Sequence, residues 1–200
     1  MNKRYNFYKL KNDENDWNRR VIPEGRKVKF ETDGRIARQD VKKVLSFAYD
    51  MAYGEGHHRD HRQGGSHRRH NNEIFANTFQ GKLAEYVVYY YLKAAGLNVD
   101  EPDLSVFGEN IWDSVDVDCN GRHLSIKSTK ERGQLLLLEA GDWDEQGRYV
   151  PNIDDAGKTA EYDYHILVRI RPSCEDILRE KRMLYGSEIP KQVMEDLLDR

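Results

Sequence analysis

VDVDCNGRHLSIKSTK, residues 115–130, decides the fold of this chain. Two runs of β-forming residues, 112–119 and 123–129, flank Asn120-Gly121, and an Asn-Gly pair supplies the two positive φ angles of a tight hairpin turn. Side chains two apart on a strand share a face, so Asp116 and Asp118 point one way and Val115, Val117 and Cys119 the other. The second strand repeats the pattern, with Ser125 and Lys127 on one side and Leu124 and Ile126 opposite. One face then packs on a core, and the other gathers acidic oxygens and one ammonium, the set a metal-dependent phosphodiesterase needs. The simpler alternative is a half-exposed hairpin whose polar face meets water.

Upstream of the hairpin, residues 78–99 read TFQGKLAEYVVYYYLKAAGLNV. Phe79, Leu83, Ala84, Val87, Val88, Leu92 and Ala95 recur at helical spacing and cover most of the circumference, which predicts a largely buried helix closed by Gly96. Glu85 falls inside that apolar surround. Carboxylates are seldom buried without a partner or a metal, so Glu85 is a ligand, an ion-pair partner of Lys82 or Lys93, or a side chain that reaches solvent. The adjacent Tyr86, Tyr89, Tyr90 and Tyr91 fit a helix packed on a sheet more simply than a set of base-stacking rings.

A helix with Gly81, Ala84 and Glu85, a strand with Asp116, a turn, and a strand with Ser125-Ile126-Lys127 together resemble the PD-(D/E)xK nuclease superfamily, the fold of most type II restriction endonucleases. The resemblance covers roughly residues 78–170 and rests on short motifs. It implies an α/β fold with a mixed central β-sheet flanked by helices. It also implies that Asp116 and Glu85 hold Mg²⁺, with Mn²⁺ as a substitute, and that Lys127 positions or activates the attacking water. One position departs from the family pattern: the second acid, two before the lysine, is Ser125. A hydroxyl can orient a metal-bound water but brings no charge, which leaves Glu85, or Asp118 as an extra ligand, to supply it. A degenerate, inactive site is the other outcome. No G-x-x-x-x-G-K-[ST] loop occurs, which argues against ATP-driven motion.

With 38% apolar and 34% charged residues, the 200-residue chain has the composition of one globular domain with a polar surface. Without an apolar run of membrane-spanning length or a secretory leader in MNKRYNFYKLKNDEND, no membrane association and a cytoplasmic location are expected. Cys119 and Cys174 are too few for a disulfide framework or a cysteine zinc site. A net charge of -3 argues against indiscriminate nucleic-acid binding, but the charge is clustered. Arg59, Arg62, Arg68 and Arg69 gather in GEGHHRDHRQGGSHRRHNN with His57, His58, His61, His67 and His70. DNA contact by these arginines, zinc binding through His57 and His61, and a solvated loop without a task are the three readings. Lys130, just past the catalytic-type lysine, joins the DNA-contact set.

Along the chain, residues 1–76 read as a polar N-terminal arm, an amphipathic helix over 40–53 and the basic loop, with KVKFET (27–32) as a short strand. Residues 77–172 form the nuclease-like core, in which the apolar run 135–138 is a buried strand or helix fragment, 142–158 an acidic excursion and 162–170 a further strand. Two helices, 174–184 and 190–198, complete the same domain. The function expected is a Mg²⁺-dependent endonuclease cutting double-stranded DNA, of the type II restriction kind. A homodimer follows only by analogy, since one site cuts one strand and a palindrome mirrors two-fold symmetry. A repair or junction-resolving nuclease and a DNA-binding protein with an inactive site are the alternatives.

Overall fold

The computed structural model describes residues 11–12, 20–21, 27–54, 69–105, 116–136, 138, 143–145, 148–150 and 161–199. The chain divides into two compact units, Met1–Glu31 and Thr32–Arg200. In the first, β1 (Lys11–Asn12) pairs antiparallel with β2 (Arg20–Val21). The strand expected over 27–32 does not form. Val28 is 63% exposed, so its side chain finds no buried surface to reward an extended partnered backbone.

The second unit contains, in chain order, α1 (Arg38–Tyr53), α2 (Asn71–Ala94), β3 (Val117–Cys119), β4 (Arg122–Lys130), β5 (Tyr164–Ile170), α3 (Cys174–Glu180) and α4 (Lys191–Asp199). It is a mixed α/β arrangement in which a three-stranded mixed sheet of order β3-β4-β5 lies against helices. β3 and β4 run antiparallel and β4 and β5 parallel, with Ser125 beside His165 and Lys127 beside Leu167. Val99 bridges antiparallel to Cys119. Among the described residues no helix is long and apolar enough to cross a membrane.

The 24 residues of α2 span about 36 Å at the usual helical rise and carry apolar residues around most of the barrel. Phe75, Phe79, Leu83 and Tyr86 pack among α1, α3 and α4 with Val44, Leu45, Ile177, Leu178, Val193 and Leu197. Ala84 and Val88 pack on the sheet, against Val117, Cys119, Leu124 and Ile126. The helix starts earlier than the periodicity over 78–99 indicates, so residues 76 and 77 fall inside it. Its first turn is tied by Glu73, whose carboxylate accepts the His70 N–H at 2.9 Å. At the other end Gly96 takes φ +79°, the left-handed geometry that closes helices.

Further regions differ from expectation: the helix expected over 174–184 ends at Glu180. The run 135–138 forms neither strand nor helix where described, and Leu138 is 42% exposed. Without Val, Ile or an aromatic residue, four leucines lack the β-branched character that favours a strand. The tyrosine series also divides: Tyr86 and Tyr89 are core residues, whereas Tyr90 and Tyr91 are exposed. Tyr90 still ties the two long helices, donating its hydroxyl at 2.8 Å to Asp40, a fully buried carboxylate that Lys43 also approaches at 3.5 Å.

Asn72 is the polar staple between α2 and the turn before α4. Fully buried, it donates Nδ2–H bonds to the carbonyls of Met183 at 2.7 Å and Glu188 at 2.8 Å and accepts from the Tyr53 hydroxyl. Gly186 is required beside it, because a Cβ there would meet Nδ2 at 2.9 Å. Asn72→Ala strands these buried partners and is expected to cost about 2–4 kcal/mol in urea unfolding, against about 0.5 kcal/mol or less for an exposed control such as Lys42→Ala.

Candidate active site

The hairpin forms as its turn residues require. Asn120 (φ 54°) and Gly121 (φ 74°) lie between Cys119 and Arg122, which pair directly. The register puts Val117 opposite Leu124, so the apolar side chains of β3 and β4 face α2 together. Asp118 lies opposite His123 on the other face, the one that also carries Ser125 and Lys127.

Asp116 sits at a bend immediately before β3, where the next register position would be Ser125. Its Oδ2 accepts the Ile126 backbone N–H at 2.5 Å and lies 3.3 Å from Lys127 Nζ. One carboxylate is thus clamped by a main-chain amide and an ammonium, while its other oxygen makes no hydrogen bond among the described residues. The pair is partly open, with the Asp116 and Lys127 side chains 26% and 43% exposed.

Ser125, the next register position opposite Asp116, is 1% exposed and so does not meet solvent. A carboxylate there would be buried next to Asp116, and two like charges so placed would force one to hold its proton. The hydroxyl avoids that conflict. His165, the neighbour of Ser125 on β5, stands on the same face. Its pKa is lowered by desolvation and by the Lys127 charge, with Asp116 pulling the other way, so the ring is within electrostatic reach of both.

The other expected site residues are placed as follows. Glu85 is buried on α2, the helix that covers the apolar face, and ion-pairs with Lys82 at 2.7 Å. Asp118 Oδ1 accepts the Gly121 N–H at 2.9 Å and so braces the turn, with His123 Nε2 3.6 Å from its other oxygen. Among the described residues no group of three or more His, Cys, Asp or Glu side chains converges as a metal cage. Lys130 binds the first turn of α3, at 3.2 Å from Glu175 and 2.6 Å from Asp176. Burial works against its charge, yet the two carboxylates outweigh it and raise its pKa. Arg69 lines a cleft of about 280 Å³ with Glu73, Asn77, Glu175, Arg179, Leu184 and Tyr185. Arg59, Arg62, Arg68 and the histidines at 57, 58, 61 and 67 lie outside the described residues.

His165 and the rings around it were not legible as site residues. Alternation within YDYHILVRI puts His165, Leu167 and Arg169 on one face, but only the parallel register with β4 shows that this is the face of Ser125 and Lys127.

The Asp116 clamp yields a stability expectation. In Asp116→Asn the amide oxygen keeps the Ile126 hydrogen bond and only a partly exposed ion pair is lost, so urea unfolding should shift by less than about 1 kcal/mol. Asp116→Ala, which strips a main-chain donor of its partner, should cost about 1–2 kcal/mol. Equal losses for the two variants would show that the Ile126 bond contributes nothing. In comparisons with protein-family models, with curated proteins and with solved structures, nothing matches this chain.

Proposed function

We propose that the chain is a Mg²⁺-dependent endonuclease that hydrolyses DNA phosphodiester bonds at the Asp116–Lys127 pair. The observation that carries this is the clamp itself: a carboxylate oriented by the Ile126 amide and the Lys127 ammonium, whose other oxygen makes no hydrogen bond among the described residues, on the polar face of the hairpin. The order of elements supports it, since α2 with Glu85, the β3–β4 hairpin and the parallel β5 follow in the sequence that the nuclease resemblance implies.

The donors present suit Mg²⁺. It prefers hard oxygens and keeps most of its waters, so that other Asp116 oxygen together with substrate phosphate oxygens is a sufficient anchor. Glu85, which lies on α2 in an ion pair with Lys82, is the second carboxylate of the proposed set. When bound, the ion supplies Lewis-acid stabilisation of charge on the scissile phosphate. Lys127 contributes its own positive charge to that phosphate and donates a hydrogen bond that orients the attacking water. Asp116 holds the ammonium within 3.3 Å of its own carboxylate and so fixes where that donor points. Buried Ser125 offers a hydroxyl opposite Asp116 without adding a like charge. In the fuller form of the proposal the chain is a homodimeric restriction-type enzyme acting on double-stranded DNA in the cytoplasm, and Mn²⁺ replaces Mg²⁺.

One observation favours a second reading. Ser125 removes a full negative charge from the acidic position and Asp118 is engaged with the turn, so the same face would serve a DNA-binding protein that does not cut.

Incubation with plasmid DNA separates the two. The nuclease reading expects cleavage with Mg²⁺ or Mn²⁺ and binding without turnover in Ca²⁺. It expects Lys127→Ala and Asp116→Asn to lose at least about a hundredfold in rate while still retarding DNA. Wild-type chain that retards DNA without cutting it selects the second reading, and a variant that cuts at the wild-type rate removes that residue from the mechanism.

A further inference from the structure

The crossover between β4 and β5 sets four rings on one another beside the hairpin pair. Trp143 bridges antiparallel to Tyr149, with their ring centroids 5.2 Å apart. Trp143 also meets His165 edge-on at 5.1 Å and Tyr162 at 6.2 Å, and Tyr162 meets His165 at 5.8 Å. The loop carrying Trp143 and Tyr149 is closed by Asp144, which accepts the Arg148 backbone N–H at 2.9 Å and its Nε–H at 2.6 Å. These rings belong to neither apolar core. Trp143, Tyr149 and Tyr162 are half-buried and His165 is exposed, so the cluster keeps aromatic surface open to solvent.

We propose that Trp143, Tyr149, Tyr162 and His165 form a stacking platform for one unpaired nucleobase of the nucleic-acid substrate. The inference rests on reading Asp116 and Lys127 as the phosphodiester site, because His165 is the β5 neighbour of Ser125 and puts the platform next to that pair. Every base offers a π face, so stacking there holds a nucleotide without reading its identity. Inside a duplex those faces are covered by neighbouring bases. The platform therefore adds affinity only where a nucleotide is out of the stack, as in a single strand, a flap or a frayed end, and leaves the binding of intact double-stranded DNA to the rest of the site.

The test uses the full chain with Trp17→Phe and Trp112→Phe, which leaves Trp143 as its one tryptophan. In Ca²⁺, a single-stranded oligodeoxynucleotide should quench Trp143 emission and a blunt duplex should not. By retardation, Trp143→Leu should bind the single strand about tenfold more weakly and the duplex within about twofold of wild type, with Trp143→Phe restoring most of the loss. Unchanged Trp143 emission with the single strand bound, equal quenching by duplex, or wild-type affinity of Trp143→Leu for the single strand each overturns the platform. Quenching retained without any Mg²⁺-dependent cleavage supports the platform and overturns the hydrolytic reading. Cleavage without quenching does the reverse.

Discussion

Everything in the larger unit depends on α2 being buried on two sides. Phe75, Phe79, Leu83 and Tyr86 close the helical core, while Ala84 and Val88 receive the sheet. Each large apolar side chain so buried contributes roughly 1.5–3 kcal/mol, and the two cores share one rigid rod. Ala84 is fully buried, which brings helix and strands close and fixes the height at which β4 crosses. Because Leu124 and Ile126 must face that helix, Ser125 and Lys127 are obliged to face away from it. A register slip by one residue would exchange the two sets, so the same packing that stabilises the fold places the proposed chemistry.

The charge balance on the polar face follows from that placement. Asp116 and Lys127 neutralise one another and Ser125 adds nothing, while Glu85, on the helix that covers the opposite face, already has Lys82. In the proposed mechanism such a site attracts a divalent cation only weakly by itself. The substrate phosphate completes it, so metal and DNA should bind with positive coupling. Ser125 in place of an acid then changes when the ion binds rather than whether it can. The ring cluster at Trp143 has a separate role in the proposal, holding an unpaired nucleotide beside that site.

Much of the local structure was legible because it is decided locally. Asn120-Gly121 announces a two-residue turn, the alternation on either side announces two faces, and Gly96 announces the end of α2. Asp116 and Lys127 could be paired from those signals alone, and their 3.3 Å contact follows from the register. What was not legible depends on partners far away in sequence. The choice of Lys82 for Glu85, the engagement of Asp118 with the turn and the capture of Lys130 by α3 are each one option among several that spacing allows. The nearness of His165 to Ser125 requires a parallel pairing across 40 residues, and local periodicity is blind to it. The strand expected over 27–32 and the element expected over 135–138 mislead for the opposite reason, since a few β-forming or apolar residues in a row do not by themselves make a strand.

Calorimetric titration of Ca²⁺ into the chain, with and without bound DNA, tests the central claim most directly. The account predicts weak binding to the free protein and one much tighter site per chain in the complex. It predicts that the tight site is lost in Asp116→Asn, although that variant remains folded and still binds DNA. Equal affinity with and without DNA, or an unchanged tight site in Asp116→Asn, would contradict it.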